Sequence, residues 1–451
     1  MNAKVSVVLP SLNVADYIEE CLASVLNQSL DELEVICVDA GSTDGTREIL
    51  DDYAKKDSRI VVLHSNVKSY GKQVNMGLDY ACGAYVAILE TDDWVEPDMY
   101  RCLYEHGAAD GLDYVAADFD LFYQLQSGEY YYIRQKLFHA GNAGWYGQLL
   151  GPSQLATLRA CDYALWKGIY DRNFLNTNHI RLHESAGAAF QDMGFLQQAK
   201  TYAKKAKYLD QSFYRYRQDR GDASSASLMG LQYYKEEFLW MDQELQLNHM
   251  LKGVHRKYYY LTMSISFITK YEQVLVRLGG DWKDKRLGIP YGWFRGQVSM
   301  AIEEGLIDES MYEKGQWGRL MLLLASQRLF AQFAMEKERE KRGRAQNLLD
   351  LTGGRPVVIF GCGVRGEGLM HFCNCNHIQV YGFCDNNTAF FGRKKYGYPI
   401  LSPAELAHIA KEENKAVVLS MKNGKEEVYS QLAALGMEPG RIVKHLPEGV
   451  L

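Results

Sequence analysis

The sequence predicts an α/β protein in three parts, and three observations carry that prediction. Short β-branched runs alternate with amphipathic stretches through the first two hundred or so residues, a helical pattern follows from about residue 228, and alternation resumes near residue 351. The expected parts are residues 1–227, 228–350 and 351–451. A chain of 451 residues also exceeds one ordinary core, which makes a division of this kind the natural expectation.

The first strand is "KVSVVLP" (Lys4 to Pro10), closed by a proline, and Ile18, Cys21, Leu22, Val25 and Leu26 then recur at helical spacing. "LEVICVD" (Leu33 to Asp39) is a second buried strand, and "GSTDGT" turns into a helix capped by Ser42, Thr43 or Asp44. Arg59 to His64 and Ala84 to Glu90 complete a β-α-β-α-β-α-β series, the pattern of a parallel sheet covered by helices. Ligands of such sheets sit beyond the carboxyl ends of the strands. Pro10, Asp39 and the acids of "ILETDDW" (Ile88 to Trp94) all fall at such ends. Carboxylates crowded like Glu90, Asp92 and Asp93 repel one another unless a cation lies between them, and a divalent metal is the usual answer.

Further on, Gln191-Asp192 precedes a helix with Met193, Leu196 and Ala199 on one face, so Asp192 is either a first-turn acid or a carboxylate that takes a proton. "YRYRQDRGDASSAS" (Tyr214 to Ser227) sets Arg215, Arg217 and Arg220 beside small polar residues and reads locally as a charged surface loop. From about Leu228 to Leu349, Leu, Met, Tyr and Phe at helical spacing suit a bundle core. Within it, Arg319 to Arg344 has an apolar face that runs into a mixed-charge tail, and peripheral contact with a membrane or pairing with a second copy of the chain are the alternatives there.

In the last part, "PVVIFGCGVRGEG" (Pro356 to Gly368) is a strand followed by Gly361, Gly363 and Gly366 in G-x-G-x-x-G spacing. Asp385 ends the next strand about twenty residues on, as a ribose-binding acid does. This is the pattern of a Rossmann-like unit with a nucleotide's phosphates at a helix N-terminus, the alternative being a scaffold that binds nothing. No hydride-transfer partner accompanies it, so NAD is not expected. Cys362, Cys373, Cys375 and Cys384 with His371 and His377 match no paired zinc spacing and read as buried thiols around a strand.

Composition narrows the function classes. A net charge of −6 argues against general affinity for nucleic acid. Nine cysteines at irregular spacing suit reduced thiols in a cytoplasmic protein. No leader of the signal-peptide kind and no apolar run of roughly 18 residues is present, so a soluble chain is expected, cytoplasmic or peripheral at the inner face of a membrane. The 31 tyrosines suit a surface for sugars or partners.

"VSVVLPSLNVADYIEECLASVLNQSLDELEVICVDAGSTDGT", followed by "YGKQVNMGLDYACGAYVAILETDDWVEPDM", resembles the donor-binding half of family 2 glycosyltransferases of the GT-A fold, over about residues 4–225. The resemblance implies a nucleotide-sugar donor with Pro10 and Asp39 at its site, Asp39 near the base. It implies that Asp93, the last carboxylate of a D-x-D-like motif, holds Mn²⁺ or Mg²⁺ on the donor diphosphate while Asp92 faces the ribose or sugar. Asp192, downstream of a stretch resembling "ALWKGIYDRNFL" (Ala164 to Leu175), matches the family's general base, and Arg217 lies in a cationic loop that closes over the diphosphate. The chain departs from the family at Ala40, where many relatives carry an acid, at Gln73-Val74-Asn75, where many read Ala-Arg-Asn, and at Gln191, usually Glu. Residues 354–445 resemble the sugar-nucleotide-binding module that precedes some sialic-acid and bacillosamine acetyltransferases.

The expected activity is inverting, metal-dependent transfer from a UDP-sugar to a glycan or lipid-linked acceptor in surface-polysaccharide synthesis. Nucleotidyl transfer to a sugar phosphate is the alternative enzyme class, but "LPSLNVADY" lacks the Gly-rich basic loop it needs. A sugar-nucleotide-binding scaffold is the non-enzyme alternative, opposed by the retention of Asp92, Asp93 and Asp192 together.

Overall fold

The structure is a computed structural model that describes residues 3–139, 141–219, 227–447 and 449–450. It forms two compact units, Met1–Leu121 with Ile133–Gln332, and Phe122–Tyr132 with Phe333–Leu451.

In the first unit the strands are β1 (Val5–Ser11), β2 (Leu33–Asp39), β3 (Ile60–His64), β4 (Tyr85–Ile88), β5 (Trp94–Val95), β6 (Tyr114–Gln124), β7 (Tyr130–Gln135), β8 (Gly168–Asp171) and β9 (Ala206–Arg217). They run β3-β2-β1-β4-β8-β6-β9-β5, with β7 on β6. The first four are parallel, as the alternation predicts. Strand β1 is buried along its whole length and β2 nearly so, as strands covered on both faces must be. Ile18, Cys21, Leu22 and Val25 bury the inner stripe of the helix Ile18–Leu26. The N-cap is Gly45, in a left-handed turn (φ 100°), rather than Ser42, Thr43 or Asp44; Asp44, one residue further out, accepts the Thr46 N–H at 3.0 Å.

Beyond β4 the order turns antiparallel. Strand β8 pairs with β4 and β6, and β9 returns beside β5 in the register Trp94↔Arg215 and Val95↔Tyr214. Residues Tyr214 to Arg217, read from sequence as the start of a loop, are therefore the end of a strand, while Arg220 lies outside the described residues.

Helices Gly230–Gln243, Gly253–Arg277, Lys285–Glu303 and Gln316–Ala325 bury Tyr234, Phe238, Phe267, Tyr271 and Phe294, with Phe267 and Phe294 stacked at 3.9 Å. The helix Gln327–Thr352 changes unit after Gln332, so the region expected as 228–350 is shared between the two units. Within Arg319 to Arg344, Leu320, Leu323 and Phe330 are buried in the bundle, whereas Met321 and Leu329 stay exposed. No helix among the described residues is long and apolar enough to cross a membrane.

The second unit has β10 (Val357–Phe360), β11 (Val380–Cys384), β12 (Lys394–Lys395), β13 (Tyr398–Leu401), β14 (Ala416–Leu419) and β15 (Ile442–Val443), in the order β12-β13-β11-β10-β14-β15. All neighbours are parallel except β12 and β13. Cys362, Cys373 and Cys384 are buried around this sheet. The tip Phe122–Tyr132 of the β6–β7 hairpin completes the unit. Leu125 is buried in its core, the Gln126 amide donates to the Ile378 carbonyl and accepts the Val380 N–H, and the Ser127 hydroxyl donates to the Tyr396 carbonyl at 2.7 Å.

Candidate active site

The loops after β1 and β2 are sewn together at the carboxyl edge of the sheet. Asn13 donates its N–H to the Ser42 hydroxyl and its side chain accepts the Thr43 N–H, both at 2.9 Å, and the Ala15 N–H reaches Asp44. Asp39 is buried and its carboxylate accepts the N–H groups of Gly41 (3.0 Å) and Ser42 (3.2 Å), so its own turn holds it rigidly. Gln73 donates its buried amide to the carbonyls of Ser11 (2.8 Å) and Val38 (2.6 Å), tying two strand ends. Its neighbour Asn75 pairs in both directions with the Leu182 backbone, as a strand would.

The acids after β4 form the centre. Thr91 donates to the Pro10 carbonyl at 3.1 Å, which anchors the turn to β1. Asp93 is buried; the Tyr214 hydroxyl donates to one oxygen at 2.7 Å and the Arg217 backbone N–H to the other at 2.8 Å. Burial pushes the Asp93 carboxyl well above the ordinary range, and the charge of Asp92 adds to it. Glu90 is driven up to about 8 by burial, although the Tyr70 hydroxyl donates to it; Asp92 and Asp192 repel it further. The Cys21 thiol beneath is kept protonated by burial first and then by Asp93 and Asp92, which leaves the site an oxygen-donor set.

Arg217 is not displayed as a loose cation. Its guanidinium meets Glu20 at 2.6 Å, donates to the Asp92 carbonyl at 2.8 Å and lies 5.0 Å over the Tyr17 ring. Arg215 is held by Glu96 and Asp120.

Asp192 stands in the first turn of the helix Gln191–Tyr202, half-buried, with its Oδ1 accepting the Met193 N–H at 2.8 Å. Burial pushes its carboxyl up to about 6. The departure at Gln191 has a structural reason: its amide accepts the Ala189 N–H and donates to Ser185 and the Gly187 carbonyl, and an ionised glutamate could not make the last of these bonds. Gly187 is in turn bonded to Lys68 and Tyr70. A continuous set of contacts thus runs from Glu90 through Tyr70 to the turn that presents Asp192.

In the second unit Gly361 takes φ 108°, and a Cβ on Gly366 would stand 1.9 Å from the Gly361 carbonyl oxygen, so both are required by the strand-to-helix turn. Gly363 faces open space and begins the helix Val364–Cys375. Asp385 turns toward this loop, accepting the Cys362 N–H at 2.9 Å and the Asn387 N–H at 3.0 Å.

Tyr70, Tyr214, His183 and Glu237 escaped the sequence reading. His183 Nδ1 lies 3.0 Å from the buried Glu237 carboxylate, and the charge of Asp192 reaches that carboxylate. The signal for Glu237 is its place on the apolar stripe of its helix, with Tyr234, Phe238 and Met241.

Residues 6–155 match the family model described as Glycosyl transferase family 2. The chain is 29% identical over 255 residues to the glycosyltransferase EpsJ of Bacillus subtilis, covering 56% of this chain and 70% of that one. It is 28% identical over 229 residues to glycosyltransferase GlyG of Streptococcus pneumoniae, covering 49% and 73%. In fold it is similar to residues 1–349 of S. aureus TarS, crystallised with UDP-GlcNAc, with a TM-score of 0.51 at 18% identity over 75% of this chain and 92% of that one. A GT-A-like glycosyltransferase domain therefore occupies the amino-terminal part of the chain, and the enzyme is a glycosyltransferase.

Proposed function

We propose that this glycosyltransferase moves a sugar, with inversion, from a UDP-linked donor to a hydroxyl of a glycan or lipid-linked acceptor in the synthesis of a surface polysaccharide. One observation supports the reading: the charge of Asp192, a carboxyl held at about 6 in the first turn of its helix, reaches Glu90 among the acids at the sheet edge, and Glu90 is bonded to Tyr70 beside the turn that presents Asp192. A carboxylate of that proton affinity can take a proton from an attacking hydroxyl near neutral pH. As the acceptor oxygen bonds to the anomeric carbon, the bond to the diphosphate oxygen breaks. Its electron pair leaves with the nucleotide, and the hydroxyl proton passes to Asp192.

The residues fit a divalent cation. Asp93, with Asp92, would hold Mn²⁺ or Mg²⁺, because hard cations on a diphosphate need only one or two carboxylates beside the phosphate oxygens. Among the described residues there is no group of three or more metal-binding side chains, which suits such an open site better than a cage. The cost of a buried Asp93 charge beside Asp92 is one that a cation offsets. When bound, the ion supplies charge stabilisation for the leaving diphosphate. Pro10 and Asp39 frame the base, Asp92 faces the ribose or sugar, and Arg217 reaches the phosphates after leaving Glu20. TarS is crystallised with UDP-GlcNAc, which supports placing UDP-sugars first.

The test is nucleotide release from a panel of UDP-, GDP- and CDP-sugars. Turnover of a UDP-sugar that stops with chelator and returns with Mn²⁺ or Mg²⁺ is expected. Release indifferent to chelator overturns the metal assignment, and release from no donor overturns the transfer reading.

For the second unit, Gly361, Gly363, Gly366 and Asp385 support a second nucleotide site. Gly363→Val is the informative change, since a Cβ there has no protein atom within 4 Å and the added bulk points at open space, whereas Asp385→Ala also strips the Cys362 N–H of its acceptor. Calorimetry on the full chain with UDP, UDP-sugars and NAD is expected to show a second binding event for UDP or a UDP-sugar that Gly363→Val removes. The same isotherm in both proteins would leave a scaffold. The full chain is needed because a piece starting near residue 350 lacks the tip Phe122–Tyr132, which is part of this unit.

A further inference from the structure

We propose that Glu237, held by His183, is a positioning residue for Asp192, contributed by a helix beyond the part of the chain that matches the family model; the inference rests on Asp192 acting as the base. Glu237 belongs to the helix Gly230–Gln243 and is 1% exposed, although a buried carboxyl is unfavourable unless its oxygens find partners. One oxygen is accounted for: Oε2 lies 3.0 Å from His183 Nδ1, and the His183 ring is stacked on Trp240 at 4.8 Å with an interplanar angle of 3°. The other, Oε1, is buried against Gly194, two residues after Asp192 on the same helix, whose backbone N–H is the polar group it faces.

Gly194 explains the arrangement. A Cβ there would stand 1.9 Å from Glu237 Oε1, so the helix gives up a side chain at this point to admit the carboxylate. Glycine is otherwise unfavourable inside a helix. His183 is fixed from the opposite side, since a Cβ on Gly71 would stand 2.0 Å from its carbonyl oxygen, and the neighbouring Leu182 backbone is paired with Asn75. Through these contacts Glu237 sets the first turns of the helix Gln191–Tyr202. Burial, with the charge of Asp192 adding to it, brings Glu237 up to about 7 while His183 holds it down, so its hold on the helix is one of packing and position. The other titratable groups that feel Asp192 are Glu90, Tyr70 and Tyr216.

Steady-state kinetics with the UDP-sugar that the wild-type protein turns over fastest, across the acid limb of the pH profile, test the idea. Glu237→Gln is expected to lower kcat on the order of tenfold, as a misplaced catalytic group does, with the donor KM changed less than about twofold. The acid limb should stay in place, because Glu237, up at about 7, is already largely protonated and neutral at the pH near 6 where Asp192 titrates. Gly194→Ala should reproduce the kcat loss by expelling the carboxylate. If Asp192→Asn abolishes transfer while Glu237→Gln keeps the wild-type kcat, or only melts earlier, the positioning role is overturned. If Asp192→Asn transfers at the normal rate, it is the base assignment that has failed.

Discussion

Asp93→Asn is expected to remove divalent-dependent nucleotide release almost completely, by on the order of 10²- to 10³-fold or more, since the ion's charge stabilisation is worth several kcal/mol. Asparagine is the right replacement. Its oxygen can keep the bond from the Arg217 N–H, and its amide can contact the Tyr214 oxygen, so the shape of the site and the Arg217 bond are kept. Alanine would leave a buried N–H without an acceptor and confuse folding with function. The burial that raises the proton affinity of Asp93 means that a neutral side chain is favoured there, so the variant should melt no lower than wild type. Thermal melts with UDP, with and without Mn²⁺, check binding apart from turnover: wild type gains stability from the ion and the variant does not. Undiminished Mn²⁺ dependence in Asp93→Asn would falsify the assignment.

Asp192→Asn is expected to lower transfer by roughly 10²- to 10⁴-fold, the usual contribution of a positioned base, with donor and metal binding kept. Wild-type activity should fall as pH drops through about 6, where Asp192 takes up its proton. Stability follows the opposite course. A carboxyl whose folded pKa is raised holds its proton more tightly folded than unfolded, so it favours folding most below the ordinary carboxylate range, and that advantage is lost as pH rises through about 6. At neutral pH the buried charge is a net cost, and Asp192→Asn should melt higher than wild type while turning over far more slowly. Normal transfer across this pH range would reduce Asp192 to a first-turn acid. A higher melting temperature with lost activity is the expected mark of a site built at the expense of stability.

Local periodicity was enough for the parallel half of the first sheet and for the strand ends at which Pro10, Asp39 and Glu90–Asp93 stand. A strand buried on both faces and a helix with one apolar stripe write their burial into adjacent residues. The same holds for the helix that begins at Gln191 and for the glycine turn at Gly361 to Gly366, where backbone sterics alone demand the residue type. The partners of the acids are another matter. Tyr214 and Arg217 meet Asp93 across 121 and 124 residues of chain, because β9 returns antiparallel to the short strand Trp94–Val95. Nothing in the spacing of either segment specifies that register. Likewise Glu237 shares the buried stripe of Tyr234, Phe238 and Met241, but it is Gly194, on another helix, that leaves room for its carboxylate, and the tip Phe122–Tyr132 joins a core whose other residues lie more than two hundred positions later. Residue type and period determine which face of an element avoids water. Which distant element covers that face, and therefore which carboxyl is desolvated, shifted in proton affinity and aimed at a neighbour, is decided by packing in three dimensions.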